Sequence, residues 1–218
     1  FGSCAFECKC LMNWRCFHFL CQSPPMNPKL CSAIELAKEA HKGQLRQNGD
    51  DYVEHPIAVL RILMEAGLDL PLEAYLAAVL HDVLEETEIS EEELRVFAGE
   101  EVVEVVKALT KGEEYYRLPR SVRDHRYCER IAALEKKYPY ILLIKMADKI
   151  HNLETIDGLL KARRDKILRE TQTTCLPFFR AHLHTSDSVG GGTYETLLHR
   201  MEKVLEKHMV NSNGYITA

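Results

Sequence analysis

The amino-acid sequence predicts an all-α fold, a bundle of roughly eight helices. Apolar residues recur at intervals of three and four along almost the whole chain from residue 28, and this is the helical period. No alternation typical of a strand persists for more than four residues, apart from a valine-rich stretch at 102–106. With 218 residues, 46% of them apolar, the chain can bury one substantial core.

The first two helices are indicated by an apolar stripe and by a proline. The stripe begins at Leu30 and places His41 on the inner face, towards the core. His55 and Pro56 open a second helix with proline at its first position, and Gly67 ends it.

The middle of the chain is predicted to hold three more helices. A nearly continuous apolar face indicates a buried helix over 72–85. Ser90 and Glu93 form a capping box that starts the next helix, and a further helix covers 101–109. The polar stretch 111–126 contains glycine and proline, and we interpret it as a long loop over the functional site.

Four helices complete the predicted bundle. They cover 122–137, the strongly apolar 140–155, 159–184 and 194–208, with a glycine-rich linker at 186–192. We therefore expect one domain over 28–210, an N-terminal extension over 1–27 and a short tail over 211–218.

Charge and hydropathy exclude two classes of partner. The formal net charge is −5 and charges of both signs are mixed along the chain, so no basic stripe for nucleic acid is present. No apolar run reaches the roughly 18–20 residues that span a bilayer. We expect a cytoplasmic protein with a small-molecule partner, and the sequence leaves open whether subunits pair.

The eight cysteines are unevenly distributed, with five of them in the first 21 residues. Paired Cys-x-x-Cys spacings are absent, so Cys31, Cys128 and Cys175 are interpreted as reduced thiols of the body. The extension is expected to be disordered and to precede a start at Met26, with a lipid-modified tail and a metal-binding tail as alternatives.

A metal site is predicted from four side chains. His81 and Asp82 are adjacent, and His41 and Asp148 come from two other apolar helices. An unpaired carboxylate in a buried helix costs several kcal/mol unless a cation or a partner compensates it. Two imidazoles and two carboxylates suit a divalent cation, although His41 alone could be an ordinary hydrogen-bonded core histidine.

Two glutamates follow the adjacent pair at helical spacing. Glu85 and Glu86 stand three and four residues after Asp82, so they can lie beside the ion without binding it. A divalent cation lowers the pKa of water toward about 7, and a nearby carboxylate can then accept the proton and aim the nucleophile. The alternative is an acidic, solvated helix end.

Polar side chains also follow Asp148. Asn152 and Thr155 share its helical face at the fourth and seventh positions, where an amide and a hydroxyl could grip a nucleotide. Simple polarity at a helix end is the alternative.

Five ordered blocks resemble the hydrolase domain of the RelA/SpoT alarmone enzymes, in the small stand-alone form similar to the metazoan SpoT homologue. They are 40–46 (AHKGQLR), 52–56 (YVEHP), 80–87 (LHDVLEET), 109–111 (LTK) and 144–152 (IKMADKIHN). The resemblance covers roughly residues 30–165. It implies the helical bundle of an HD-domain phosphohydrolase.

The resemblance also implies a reaction and a set of residue roles. The reaction is metal-dependent removal of pyrophosphate from the 3′ position of guanosine 3′,5′-bis(diphosphate), (p)ppGpp. Mn²⁺ is the implied cofactor, and Fe²⁺ or Zn²⁺ would suit the same ligands. The implied metal ligands are His41, His81, Asp82 and Asp148; Glu85 and Glu86 activate water; Arg46, Asn152 and Thr155 contact the nucleotide; and His55 supports the pocket.

Two departures from the family pattern bear on the substrate. Glu86 stands where the family usually has aspartate, and Gln47 replaces a basic residue beside Arg46. A general HD-type enzyme on another nucleotide, such as a nucleotidase or an NADPH 2′-phosphatase, is therefore an alternative. A non-catalytic nucleotide sensor is a third hypothesis.

Overall fold

The structure is a computed structural model that describes residues 27–66, 70–112, 115, 117–183 and 192–212. The predicted extension over 1–27 lies outside the described residues except for Asn27. The same holds for the linker at 186–192 except for Gly192, for most of the 211–218 tail, and for the end of the helix predicted to reach His184.

The prediction of an all-α fold is confirmed, because the described residues are helical almost throughout and contain no strand. The α-helices are α1 Pro28–Ala40, α2 Glu54–Glu65, α3 Leu72–Val79, α4 Val83–Glu86, α5 Glu91–Ala98, α6 Glu100–Leu109, α7 Arg120–Glu135, α8 Tyr140–Glu154, α9 Lys161–Glu170, α10 Leu176–Ala181 and α11 Thr193–Ser212. A 3-10 turn at Ile156–Gly158 follows α8, and a π-helical turn at Thr171–Cys175 joins α9 to α10.

Local caps begin several of these helices where the sequence indicates. The Asn27 side chain accepts from the Lys29 N–H at 2.9 Å, and Pro28 occupies the first turn of α1. The predicted capping box of α5 is present: the Glu93 N–H donates to Ser90 Oγ at 3.2 Å, and the Ser90 N–H donates to Glu93 Oε2 at 2.8 Å.

The prediction of one continuous helix over 72–85 is wrong, because the chain breaks between α3 and α4. The His81 ring donates to the Ala78 carbonyl at 2.8 Å, and the Val83 N–H donates to the Leu80 carbonyl only three residues back at 3.2 Å. The chain therefore turns more tightly than an α-helix. The break lets His81 and Asp82 leave the helical surface together.

Two other predicted boundaries differ from the structure. The loop predicted over 111–126 ends early, because Pro119 precedes α7 and fixes the backbone angle at its start. The helix predicted from 159 is interrupted, because Pro177 has no N–H to offer the preceding turn. The chain widens there, and the Leu176 N–H donates to the carbonyl of Thr171, five residues back.

Helix α8 is the central element of the core. It packs against α2 and α11 on two sides, and against α3 and α7 on others. Ten of its fifteen residues are buried, and one of these, Asp148, is a carboxylic acid. The other nine anchor the helix through apolar contact, and this fixes the direction in which its polar residues point.

The connection between α1 and α2 forms a small hairpin that packs against the 3-10 turn after α8. Leu45 and Asp51 form an isolated antiparallel bridge, and the Arg46 N–H donates to the Asp50 carbonyl at 2.8 Å. The hairpin approaches Gly158 so closely that a Cβ atom there would stand 2.7 Å from Asn48 Cβ. The missing side chain of Gly158 lets the hairpin close over the polar end of α8.

We expect Gly158→Ala to lower the free energy of unfolding by about 1–3 kcal/mol, because the added methyl group overpacks this contact. Urea denaturation of the variant and the wild type measures the change. In an Asn48→Gly background the clash partner is gone, so the same substitution should then have a much smaller effect. An equal effect in both backgrounds would contradict the packing argument.

Candidate active site

A cavity of about 620 Å³ lies between the α1–α2 hairpin, the α3–α4 break and the outer end of α8. This volume is typical of a small-molecule site. Most of the residues predicted for the site line it, namely Arg46, His55, His81, Asp82, Glu85, Glu86, Asp148, Asn152 and Thr155.

At one end of the cavity, two imidazoles meet two carboxylates. His55, His81 and Asp82 each offer a ligand atom, and these atoms all lie within 4.8 Å of one another. His55 Nε2 is 3.3 Å from Asp148 Oδ1 and 3.6 Å from Asp82 Oδ2, while His81 Nε2 is 3.1 Å from Asp82 Oδ1. These three residues come from α2 and the α3–α4 break, and α8 adds the second carboxylate.

His41, which the sequence analysis placed among the metal ligands, occupies a neighbouring position. It is buried and stacks on Tyr52, with ring centroids 4.7 Å apart. Its Nδ1 bonds to Gln44 Oε1 at 2.8 Å, and Gln44 Nε2 donates to the Glu86 carbonyl at 2.7 Å. His41 Nε2, like His81 Nε2, is buried without a hydrogen-bond partner among the described residues. The group whose ligand atoms lie within 4.8 Å also contains His55, to which the sequence analysis gave a supporting role.

The histidine at the α3–α4 break is arranged as a metal ligand requires. His81 Nδ1 donates to the Ala78 carbonyl, so in the neutral ring Nε2 carries the lone pair. That Nε2 atom is buried and has no hydrogen-bond partner of acceptable geometry, although Asp82 is close. Burial opposes protonation, but the Asp82 carboxylate outweighs it and raises the pKa of His81 to about 9.

The two carboxylates are held ionised. Burial favours their neutral forms, but His81 lowers the pKa of Asp82 and Lys145 lowers that of Asp148, both below their usual range. Tyr52 donates to Asp82 Oδ2 at 2.9 Å, and Lys145 Nζ lies 2.7 Å from Asp148 Oδ2.

These atoms fit a divalent cation. The Nε2 atoms of His41 and His81 are buried without a hydrogen-bond partner among the described residues, and two ionised carboxylates lie beside them. Neutral imidazoles and carboxylates are the ligands that such an ion takes in proteins.

The predicted acidic pair lies beside this centre in α4. Glu85 Oε2 accepts from the backbone N–H of Lys111 at 2.9 Å, so one of its oxygens is fixed. The pKa of Glu86 is raised, first by burial and then by the charges of Asp82 and Glu85. A carboxyl group with a raised pKa is suited to accept a proton near neutral pH.

The residues predicted to contact the nucleotide are brought together on one wall. Arg46 Nη2 donates to Asn152 Oδ1 at 2.7 Å, and Arg46 Nη1 lies 3.2 Å from Thr155 Oγ1 and 3.3 Å from His151 Nδ1. Asn152 Nδ2 in turn donates to Asp148 Oδ1 at 2.5 Å.

Basic side chains also line the cavity, next to the two carboxylates. Lys111 lies near Lys145 and Lys149: burial and the charges of these two lysines lower the pKa of Lys111 to about 8. Lys149 pairs with Glu170 at 3.1 Å, while Arg163 and Lys166 extend the positive lining. These side chains are suited to phosphate groups.

Sequence reasoning missed three residues of the site, Tyr52, Lys145 and His151. Tyr52 lies in the 52–56 block and Lys145 and His151 in the 144–152 block, so each stands within a motif. Their roles depend on contacts across the bundle, which sequence spacing does not show.

The chain matches the HD-domain family over residues 33–182, which include all of the site residues above. The chain belongs to the HD-domain family. Members of this family that act as hydrolases bind a divalent metal, and the His-His-Asp group provides such a site. None of the helices in the described ranges is long and apolar enough to cross a membrane.

Two curated relatives have names that refer to the same nucleotide, (p)ppGpp. The chain is 34% identical over 145 residues to guanosine-3′,5′-bis(diphosphate) 3′-pyrophosphohydrolase of Borreliella burgdorferi, covering 66% of this chain and 21% of the relative. It is 35% identical over 144 residues to the bifunctional (p)ppGpp synthase/hydrolase SpoT of Escherichia coli, covering 66% of this chain and 20% of the relative. The chain thus spans about a fifth of these relatives.

A solved structure shows the same fold. It is described as a metazoan ortholog of SpoT that hydrolyses ppGpp and plays a role in starvation responses. It aligns with a TM-score of 0.68 at 24% identity, covering 85% of this chain and 98% of that one.

We expect Lys145→Met to lower the free energy of unfolding by about 3–5 kcal/mol, because it leaves the buried carboxylate of Asp148 without its cation. The matched control is Lys161→Met, which removes an exposed lysine from its pair with Asp165. This control should change stability by less than about 1 kcal/mol. Thermal unfolding measures both changes. Equal losses of stability in the two variants would show that burial does not strengthen the Lys145–Asp148 pair.

Proposed function

We propose that the chain is a divalent-metal-dependent hydrolase that removes pyrophosphate from the 3′ position of (p)ppGpp, leaving GDP or GTP. The observation that carries the proposal is the convergence of His55, His81, Asp82 and Asp148 beside two glutamates at one end of the large cavity. The names of the curated relatives support the choice of substrate.

His41, His81, Asp82 and Asp148 are the proposed metal ligands. Among the described residues, the Nε2 atoms of His41 and His81 are both buried without a hydrogen-bond partner, and each ring donates from Nδ1 to an acceptor that the protein provides. His55 Nε2 lies within 3.6 Å of both carboxylates, which suits a supporting role. Mn²⁺ is the proposed ion, and Fe²⁺ or Zn²⁺ would suit the same ligands.

When bound, the ion would lower the pKa of water and polarise a phosphoryl oxygen. Glu86, with its raised pKa, is the proposed proton acceptor. Glu85, held by the backbone of Lys111, would orient the attacking water.

The remaining walls would hold the nucleotide. The guanidinium plane of Arg46 is fixed by hydrogen bonds along its edge, which suits it to stacking on a base. Lys111, Lys149 and Lys166 would attract the phosphates.

We expect His41→Ala to abolish high-affinity Mn²⁺ binding, because it removes a buried Nε2 atom that has no hydrogen-bond partner among the described residues. His55→Ala should retain more of the affinity, because His55 Nε2 already lies 3.3 Å from Asp148 Oδ1. Isothermal titration of metal-free protein with Mn²⁺ measures both affinities. The opposite ranking would remove His41 from the ligand set.

We expect the purified protein with Mn²⁺ to convert ppGpp to GDP and pyrophosphate, resolved by ion exchange. Glu86→Gln should lower kcat by about 10²–10⁴, the usual contribution of a general base, without loss of metal. Glu85→Gln should also lower kcat, although its amide oxygen can still accept from the Lys111 N–H. Unchanged turnover in both variants would contradict the assigned roles.

Gln47 lines the cavity and supports one other substrate class as a second candidate. A neutral residue beside Arg46 reduces the positive charge near the base or the phosphates. The same assay should therefore include GTP and NADPH. If the protein releases phosphate from NADPH but leaves ppGpp intact, the assignment as a hydrolase stands and the proposed substrate is wrong.

A further inference from the structure

Three cationic side chains gather around one buried ring of α7, that of Tyr127. Lys111 Nζ lies 4.7 Å from the centroid of this ring and Lys145 Nζ lies 5.0 Å from it. The guanidinium carbon of Arg130 lies 5.5 Å from the same centroid. All three distances fall within the roughly 6 Å over which an aromatic face attracts a cation. Tyr127 is therefore a shared neutral partner for side chains that repel one another.

Helix α7 also holds the backbone that precedes Lys111. The hydroxyl of Tyr127 donates to the Leu109 carbonyl at 2.9 Å, and Arg130 Nη2 donates to the carbonyl of Thr110. Both carbonyls lie at the C-terminal end of α6, where a helix has no further N–H group of its own to offer. Helix α7 thus binds the backbone of two consecutive residues and the side chain of the third.

Arg130 is itself held between two rings. Its guanidinium carbon lies 4.6 Å from the centroid of the Tyr115 ring, and the rings of Tyr115 and Tyr127 meet edge to face at 6.5 Å. Tyr115 belongs to the same connection between α6 and α7 as Lys111. The two rings and Arg130 therefore form one cluster that fastens this connection to α7.

Lys111 lies on the wall between two cavities. It lines the large cavity of the site, and together with Tyr127 it lines a small cavity of about 30 Å³ behind this wall. Tyr127 is a lining residue of the small cavity and not of the large one. The ring therefore supports Lys111 from behind and does not touch what the large cavity binds.

The surroundings of the Lys111 ammonium group disfavour its charge. Among the described residues, the charged groups around it are Lys145 and Lys149 of α8, Glu85 of α4, Glu170 of α9 and Arg130 of α7. Burial, followed by the two lysines, outweighs the carboxylates and lowers the pKa of Lys111 to about 8. A closer carboxylate would restore the charge, but it would also offset the attraction for phosphate. An aromatic face favours the ammonium form without adding a negative charge.

We propose that Tyr127 is a positioning residue, whose hydroxyl and ring act with Arg130 to hold the ammonium group of Lys111 at the wall of the large cavity. The proposal rests on the proposed function for the role of Lys111 in attracting phosphate, but it does not depend on which nucleotide is cleaved. Its consequence is that a residue behind the wall controls the affinity of the cavity for phosphate groups.

The first test follows the titration of Lys111 by NMR in metal-free protein with ¹³C-labelled lysine, its signal assigned through Lys111→Arg. In Tyr127→Leu the midpoint should fall by about 0.5–1.5 pH units, because the ammonium form loses its attraction to the ring. Tyr127→Phe keeps the ring and should retain the wild-type midpoint. A mere loss of packing would admit water and raise the midpoint. An unchanged or raised midpoint in Tyr127→Leu would therefore overturn the proposal.

Tyr138→Leu is the matched control for this titration. Tyr138 is also a buried ring with a lysine over it, since Lys137 Nζ lies 4.8 Å from its centroid. Its hydroxyl donates to Glu104 Oε2 at 2.7 Å, and it lines neither of the two cavities. The control should leave the midpoint of Lys111 unchanged. A fall of the same size in both variants would contradict the specific role of Tyr127.

The wild type alone supplies a second reading, which stands even if Tyr127→Leu fails to fold. Protons over the face of an aromatic ring resonate upfield. The ε-methylene signal of Lys111 should therefore lie upfield of its position in the urea-unfolded protein. Identical positions in the folded and unfolded protein would refute the contact on which the proposal depends.

The next test is the affinity of the metal-free protein for inorganic pyrophosphate, measured by isothermal titration at pH 8 and pH 6. At pH 8, Tyr127→Leu should bind up to about fivefold more weakly than the wild type, because a lower pKa leaves a smaller fraction of Lys111 charged. At pH 6 Lys111 is charged in both proteins, so the loss should be smaller. Tyr127→Phe should match the wild type at both pH values. An equal loss at both pH values in Tyr127→Leu would show that the ring does not stabilise the charge, against the proposal.

These outcomes separate the inference from the proposed function. A protein that shows the expected effects of Tyr127→Leu, but leaves ppGpp intact, would refute only the substrate. A protein that cleaves ppGpp while Tyr127→Leu keeps the wild-type midpoint and pyrophosphate affinity would refute only the inference. Absence of pyrophosphate binding by the wild type at both pH values would refute the phosphate role of Lys111 and the inference together.

Discussion

The whole site depends on one unfavourable arrangement, the burial of two ionised carboxylates close to each other. His55 Nε2 lies 3.3 Å from Asp148 Oδ1 and 3.6 Å from Asp82 Oδ2, so one imidazole is within reach of both. Such an arrangement persists only if positive charge compensates it and if the surrounding protein holds each group in place. The donors of Tyr52 and Lys145 supply the second condition.

Helix α8 can tolerate the free-energy cost of a buried carboxylate, because most of its buried residues are apolar. Nine buried residues without charge fix the helix, so the single buried carboxylate of Asp148 adds strain to an element that is otherwise well anchored. Asn152 and Thr155, one and two helical turns after Asp148, line the cavity. A single helix therefore supplies a proposed metal ligand, its supporting amide and the wall for the nucleotide.

The fold was predictable because it depends on patterns within segments, whereas parts of the site depend on contacts between segments. Helical periodicity and the Ser90 capping box predict the all-α fold and several boundaries correctly. The same periodicity places His41 on an inner face, but it cannot show that Tyr52 stacks on the ring or that Gln44 holds its Nδ1 atom. The break after α3 was also missed, since it arises from a side-chain bond of His81 to the backbone, which no apolar pattern encodes.

The break at His81 and the hairpin after α1 together explain how a helical bundle can hold two imidazoles in a defined state. The Nδ1 atom of each ring donates to an acceptor that the fold provides: the Ala78 backbone carbonyl for His81 and the Gln44 side-chain oxygen for His41. Gln44 is oriented in turn, because its NH₂ group donates to the backbone carbonyl of Glu86. Each neutral ring therefore carries its lone pair on Nε2, the buried atom that has no hydrogen-bond partner among the described residues. The main chain thus sets the state of His81 directly and that of His41 through one glutamine.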